Sequence, residues 1–348
     1  MEILQVGVGS WGWNWLTVVC PQVEGAQVVG CVDTDQDRLD AVESAGILTS
    51  SSCYRSLQVA LGETTAEAVL VTTDLPSHAG VVRAALEAGK HVLVEKPFAP
   101  SVEEARQLAA LADERGLTLM VSQNYRFFPA VRLVRELVAE RRFGQVRHVQ
   151  LDFRRFSGPR PEGGPRGHLA WRQPLLQDMA VHHFDLLRAT LGCEAKSVSC
   201  RTWNPSWSWF ADDPEGCATV AFDGGVAVSY SGSWLSPDKT AWAGQWRMAV
   251  DEGELWWTSR GDADALGEES VRFCDRTGTW SELSTSKSGP SGRAGSLSEL
   301  LEAIGSRRVP ECNAWDNVGT LELVEAAVAS AAEGGREVPV RDEPAGST

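Results

Sequence analysis

Two groups of residues have types and spacings that could do chemistry. Gly7, Gly9 and Gly12 form a G-x-G-x-x-G run between the apolar stretch ILQV and WNWLTVVC, which has helical spacing. Dinucleotide binding requires this order of strand, glycine turn and helix. One glycine permits the tight turn, one lets the backbone approach the pyrophosphate, and one lets helix and strand pack closely. The helix start then faces the anionic phosphates. Asp33 ends the next apolar run, VVGCVD, where a carboxylate can accept hydrogen bonds from the adenosine ribose hydroxyls. Its charge repels a 2′-phosphate, and Thr34 and Asp35 offer no arginine clamp, so NAD is favoured over NADP. Arg38 nearby keeps NADP as the minority option. The blander reading has Asp33 only start a turn or cap the helix that follows.

The second group is Asp178, His182 and Asp185, spaced i, i+4 and i+7. That spacing places all three on one face of a helix expected from about residue 176 to 191. A carboxylate one turn from an imidazole can orient it and hold its charge. His183 points about 100° away around the helix and suits a secondary contact or a structural role. The blander reading makes His182 a satisfied core histidine and Asp178 a helix cap.

The elements that must position these residues follow from periodicity. ILQVGV, QVVGCVD, AVLVTT, HVLVEK and LTLMVSQ read as strands, separated by helical stretches, several of them closed by glycine. Strands alternating with helices predict a parallel, doubly wound sheet over residues 1–122. A second domain is expected over 123–348. It opens with the helix PAVRLVRELVAERRFG and the long strand VRHVQLDFRRF. An arginine-bearing Gly/Pro loop follows at 157–167, then the helix of Asp178 and His182. Next come the strand-like runs KSVSCRTW, ATVAFDGGVAVSYSGSW, QWRMAVDEGELWW and ESVRFCD, whose alternation suits a mostly antiparallel sheet. Residues 283–297 read as a flexible loop, NVGTLELVEAAVASAAEGG as a last helix before the strand-like EVPV, and RDEPAGST as a frayed tail.

Bulk properties narrow the function. Apolar residues at 43% and charged residues at 23% are ordinary for globular proteins. A net charge of -15 argues against nucleic acid or anionic lipid as a partner. The eight cysteines contain no CxxC pair, so zinc spacing is absent and no metal is expected. Scattered thiols, with neither a secretion signal nor a membrane-length apolar run, predict a reduced cytoplasmic protein.

Four further motifs join the glycine run: VTTDLPSH at 71–78, GKHVLVEKPFA at 89–99, QNYRFFP at 123–129 and DMAVHHFD at 178–185. With these the chain closely resembles the Gfo/Idh/MocA family of sugar and inositol oxidoreductases over nearly its whole length, the EKP and D-x-x-x-H motifs being the specific part. The resemblance implies an α/β protein: an N-terminal Rossmann domain and a C-terminal α/β domain with a large, open, mostly antiparallel sheet. That sheet often builds homodimers or homotetramers, and the helix at about 314–333 packs back on the Rossmann domain. It also implies hydride transfer between a sugar or polyol CH–OH and NAD. Lys96 would hydrogen-bond the reacting hydroxyl and stabilise alkoxide charge. His182 would exchange the hydroxyl proton as general base or acid, with Asp178 as its partner or a direct substrate contact. Implied cofactor contacts are Gly7, Gly9, Ser10, Trp11, Gly12, Asp33, Thr72, Thr73, Leu75, His78, Glu95, Lys96, Asn124, Trp171 and Arg172. Implied substrate contacts are Lys96, Arg126, Trp171, Arg172, Asp178, His182 and His183. The 96–97 peptide is a candidate cis bond. WRQPLLQDMAVHH departs from the family pattern, in which a glycine triplet precedes this helix.

Two other readings keep part of this picture. One is glycoside cleavage through transient oxidation, elimination and re-reduction; the other is a non-catalytic NAD-binding sensor. The fourteen tryptophans suit sugar C–H faces as well as buried sheet faces and subunit contacts. The loop at 157–167 suits an anionic substituent, since arginine binds carboxylate or sulfonate bidentately.

Overall fold

The computed structural model describes residues 1–158, 161–261, 269–285 and 289–341. In chain order the first elements are β1 (Glu2–Val6), α1 (Ser10–Asn14), β2 (Gln27–Val32), α2 (Gln36–Ser44), β3 (Cys53–Tyr54) and α3 (Leu57–Glu63). They continue with β4 (Ala68–Val71), α4 (Leu75–Glu87), β5 (His91–Val94), α5 (Val102–Arg115), β6 (Leu119–Val121) and α6 (Pro129–Ala139). Then come β7 (Val146–Arg154), α7 (Val181–Leu191), β8 (Ala195–Trp203), β9 (Glu215–Phe222), β10 (Ala227–Ser233), β11 (Gln245–Val250) and β12 (Gly253–Thr258). The last are β13 (Ser270–Asp275), β14 (Trp280–Glu282), α8 (Gly292–Ser306), α9 (Ala314–Ala332) and β15 (Val338–Pro339).

These elements divide into two compact units, Met1–Phe127 with Gly289–Val318, and Phe128–Ser288 with Gly319–Thr348. The sequence boundary at 122/123 therefore shifts to 127/128, and a late segment returns to the first unit. The cause is visible in the first core, where Phe127 packs with Ala294, Leu297 and Leu300 of α8. Residues 283–297, expected to form a loop, carry the first turns of this 15-residue helix from Gly292 onward. The serines and glycines there mask an apolar stripe at i, i+3 and i+6, and tertiary burial overrides their weak helix propensity. Residues 286–288 of that stretch, 159–160 of the arginine-bearing loop and 342–348 of the tail lie outside the described residues.

The first unit is a six-stranded parallel sheet in the order β3-β2-β1-β4-β5-β6. Its central strands are mostly apolar, as in AVLV of β4, with Gln5 of β1 a buried exception. The strand order reverses between β1 and β4, and ligands of such sheets bind outside the carboxyl ends at that point. The second unit holds a nine-stranded sheet in the order β14-β13-β12-β11-β7-β10-β9-β8-β15. Among the described residues β7 and β10 are its one parallel pair. The α/β fold read from the sequence is the observed one. Trp246 and Trp257 stack at 4.4 Å on the buried side of this sheet, whereas Trp203, Trp207 and Trp280 are exposed. Among the described residues the cysteines form no disulfide, and burial pushes the Cys20 and Cys200 thiols up to about 12.

Candidate active site

The glycine run sits between β1 and α1, and each glycine is held for its own reason. Gly7 has φ 93°, and a Cβ there would lie 2.9 Å from the Thr72 and Thr73 backbone. Gly12 has no left-handed backbone, but a Cβ would fall 2.1 Å from the Gly7 carbonyl oxygen. Gly9 is roomier: the nearest atom to a Cβ would be Arg38 Nη1 at 3.4 Å. Ser10 and Trp11 open α1, and Trp11 is exposed. A hydrogen-bond net fixes this turn. Gln5 Nε2 donates to Gly12 O at 2.7 Å and Gly7 O at 3.2 Å, and Thr72 Oγ1 donates to Gly7 O at 2.6 Å. Gln5 is fully buried in β1 between the apolar Leu4 and Val6, and a polar residue inside that run is the sequence signal for this net.

Asp33 closes the turn from the neighbouring strand. Its Oδ2 accepts from Val8 N at 2.8 Å and its Oδ1 from Asp35 N at 3.0 Å. The backbone shape and the carboxylate together fit a dinucleotide: Gly7 and Gly12 leave no room for a side chain, and Gly9 presents bare backbone between them. The carboxyl ends of the next strands add Thr73, whose buried Oγ1 has no partner among the described residues, and Leu75 at the start of α4.

The first helix departs from the sequence reading. WNWLTVVC is α-helical only to Asn14, continues as a π-helical stretch Trp15–Val19 and ends as a 3₁₀ turn before Val23. The wide turn buries Trp15, whose Nε1 donates to Glu95 Oε1 at 2.7 Å. The other Glu95 oxygen accepts from Lys96 N at 3.1 Å. The Lys96–Pro97 peptide is cis, and the Lys96 residue is half-buried. His78 braces this turn, with Nδ1 2.8 Å from Pro97 O and Nε2 3.1 Å from Thr73 O. Burial pushes its pKa below the ordinary imidazole value. A neutral ring donates through one nitrogen only. Asn124 is buried at the head of a 3₁₀ turn, and Arg126 in the same turn pairs with Asp316 at 2.6 Å, both within the first unit.

In the second unit Asp178 and His182 lie on one continuous rod, but not on one α-helix. Leu175–Ala180 is π-helical and α7 begins at Val181. The i, i+4 argument thus does not carry across the junction, because a π turn closes i to i+5. Such bulges are frequent at functional sites. His182 is 3% exposed and Asp178 is half-buried. Asp185, grouped with them by spacing, instead accepts from Thr320 Oγ1 at 3.1 Å and so anchors α7 to α9. Just upstream, Gln173 takes φ 45°, with its N–H on Asp212 Oδ2 at 3.2 Å. The left-handed backbone that glycine favours is kept here without a glycine. Trp171 follows the 3₁₀ turn Gly167–Ala170, its N–H 3.3 Å from His168 O, and Arg172 is exposed.

His183 belongs to the core rather than to a substrate surface. It is 0% exposed, with Nδ1 3.2 Å from Tyr230 Oη and Nε2 3.0 Å from Trp242 O. Burial pulls its pKa down to about 4, and the Trp242 carbonyl, which favours the protonated ring, offsets only part of that. Below its ordinary value of about 6.5 the unfolded chain takes up a proton that the fold refuses. Stability is therefore full above that pH, falls as pH drops from about 6.5 to about 4 by up to about 3 kcal/mol from this residue, and levels off below. Denaturant titrations from pH 7 to 4 should show a smaller acid loss for His183→Gln than for the parent. Equal losses would remove His183 as the cause.

Among the described residues no group of three His, Cys, Asp or Glu side chains could hold a metal, and no helix is long and apolar enough to cross a membrane.

The first unit thus defines a dinucleotide-binding domain, and the second carries a histidine rod beside a large sheet. Residues 1–123 match the oxidoreductase family's NAD-binding Rossmann fold, and residues 131–255 match the GFO/IDH/MocA C-terminal domain. The chain belongs to the Gfo/Idh/MocA family of oxidoreductases. It is 27% identical over 341 residues to a D-apiose dehydrogenase of Paraburkholderia graminis, covering 94% of this chain and 87% of that protein. The crystal structure of an aldose-aldose oxidoreductase from Caulobacter crescentus, complexed with glycerol, superposes with a TM-score of 0.83 at 19% identity, over 97% of this chain and 99% of that one. An Agrobacterium radiobacter oxidoreductase in complex with NAD+, L-tartaric acid and magnesium gives 0.81 at 19% identity, over 98% of both chains. At these identities the structures share the fold.

Proposed function

We propose that this enzyme transfers a hydride between a CH–OH carbon of a sugar or polyol and NAD. The observation that carries the cofactor half is the turn at Gly7 and Gly12, which has no room for side chains, closed by the Asp33 carboxylate. Asp33 favours NAD over NADP by charge. Bound nicotinamide supplies the hydride acceptor. The chain's own residues do the rest: Lys96, on the turn that Glu95 and His78 brace, holds the substrate oxygen and stabilises its alkoxide character. His182 takes the hydroxyl proton, and Asp178 orients the substrate or the imidazole. The sugar half draws support from the D-apiose dehydrogenase and aldose-aldose oxidoreductase relatives.

The test is a panel of aldoses, ketoses, inositols and sugar acids incubated with enzyme and NAD, followed by absorbance of NADH. Accumulating NADH with at least one of them is the expected result. Binding of NAD and a sugar with no turnover across the panel would replace the enzyme with a sensor. Glycoside hydrolysis that needs NAD but builds up no NADH would replace net oxidation with cleavage.

A further inference from the structure

We infer that Cys31 and Cys53 are a redox pair: a peroxide closes them to a disulfide between β2 and β3, and small thiols reopen it. The two lie 22 residues apart in sequence, and the sheet brings them into register. Cys31 is the direct partner of Cys53 across these parallel strands, so both side chains leave the sheet on one face. Neighbouring strands run about 4.8 Å apart, within the Cα separation of about 4.4–6.8 Å that a disulfide spans. The two Sγ atoms are already 3.7 Å apart, with the Cys31 S–H donating. Side-chain rotation and a small approach of the Cβ atoms complete the bond.

Their surroundings give the two thiols different roles. Cys31 is fully buried with Val8, Leu16, Leu39 and Val42, whereas Cys53 is half-buried on the edge strand of the sheet and packs against that cluster from outside. A small oxidant therefore meets Cys53 first. Burial raises both thiols above their ordinary value. Cys53 and Asp33 push Cys31 further up, while at Cys53 the S–H of Cys31 opposes the rise and Glu43 and Asp40 add to it. Cys53 is thus the readier of the two to ionise, and the thiolate is the nucleophile. It attacks one peroxide oxygen, the O–O bond breaks, and a sulfenic acid forms as hydroxide leaves and takes up the proton that Cys53 gave. The Cys31 sulfur then attacks the Cys53 sulfur. The S–S bond forms as the S–O bond breaks, and the departing oxygen carries off the Cys31 proton as water. Two thiols have then lost two electrons to one peroxide, which becomes two waters. The bond ties residues 31–53 into a loop that holds Asp33 and α2, next to the hydrogen bond from Asp33 N to Tyr54 O. It braces the strand end that carries the Asp33 carboxylate.

The test exposes the full chain to millimolar hydrogen peroxide at mildly alkaline pH, removes the peroxide with catalase, alkylates free thiols and maps the digest by mass spectrometry. The expected result is a Cys31–Cys53 cross-linked peptide in most chains, lost after dithiothreitol. The bridged form should melt a few degrees higher, because the closed loop restricts the unfolded chain. In Cys31→Ala no bridge forms and Cys53 keeps its sulfenic acid, which dimedone labels. In Cys53→Ala neither the bridge nor a label on Cys31 forms. A treated parent in which both cysteines are still alkylated, or a bridge that forms only in denaturant, would overturn the inference. Dimedone on Cys31 but not Cys53 in the two variants would reverse the roles, and a mapped bridge with an unchanged or lower thermal midpoint would overturn the bracing.

Discussion

His182→Ala and Lys96→Ala should each lower kcat by about 100- to 10,000-fold, with the NAD dissociation constant changed little for His182→Ala. General acid–base contributions have that size, and removing a group that stabilises developing oxyanion charge costs about as much. The two variants should differ in what else they change. Lys96 sits on the turn that Glu95 braces through Lys96 N and Trp15 Nε1, so its loss is expected to weaken substrate as well as slow the chemistry. His182 sits on the rod that runs from the π-helical turn into α7, and its neighbour His183 locks that rod to Tyr230 and Trp242. Removing the His182 ring leaves those anchors in place. Activity should therefore fall while the thermal midpoint stays near the parent value. Steady-state kinetics on the best substrate from the panel, with calorimetry alongside, reads both. Undiminished turnover in either variant would remove that residue from the catalytic set, and undiminished turnover in both would sink the mechanism.

Five of the six strands of the first sheet, the glycine turn and the parallel order were legible in the sequence because each rests on local chemistry: apolar runs, glycine at fixed offsets, a carboxylate at a strand end; the two-residue β3 is too short to leave such a run. Three things were not. The π-helical stretches at Trp15–Val19 and Leu175–Ala180 arise where burial of Trp15 and of Leu175 and Leu176 outweighs local α geometry. No periodicity argument sees that. The helix at Gly292–Ser306 hid behind Gly and Ser because its stability comes from Phe127, more than a hundred residues away in sequence. Asp185, on the same face as Asp178 and His182 by spacing, accepts from Thr320, and Arg126, an implied substrate contact, pairs with Asp316. Each of these contacts comes from a distant segment that local spacing does not see.

The three fingerprint glycines should give three different results when each is replaced by alanine, and the differences separate folding from ligand binding. Gly12→Ala puts a methyl 2.1 Å from the Gly7 carbonyl oxygen and 2.8 Å from Thr72 Oγ1. The helix must move away from the strand, so overpacking of this kind should cost about 1–3 kcal/mol and lower the thermal midpoint by several degrees. NAD affinity should fall with it by at least about a hundredfold, since the turn itself is displaced. Gly7→Ala adds an unfavourable positive φ to a 2.9 Å approach on the Thr72 and Thr73 backbone, and should resemble Gly12→Ala. Gly9→Ala is the informative one. Its backbone, φ -60° and ψ -174°, suits any residue, and its Cβ would meet only the tip of the flexible Arg38 side chain at 3.4 Å. The apo-protein should therefore keep its thermal midpoint. If the pyrophosphate passes over this peptide, the added methyl takes the space the ligand needs, and NAD affinity should still drop by roughly ten- to a hundredfold. A Gly9→Ala protein that is as stable as the parent and binds NAD as tightly would show that the dinucleotide does not run across this turn, whatever else the turn is for.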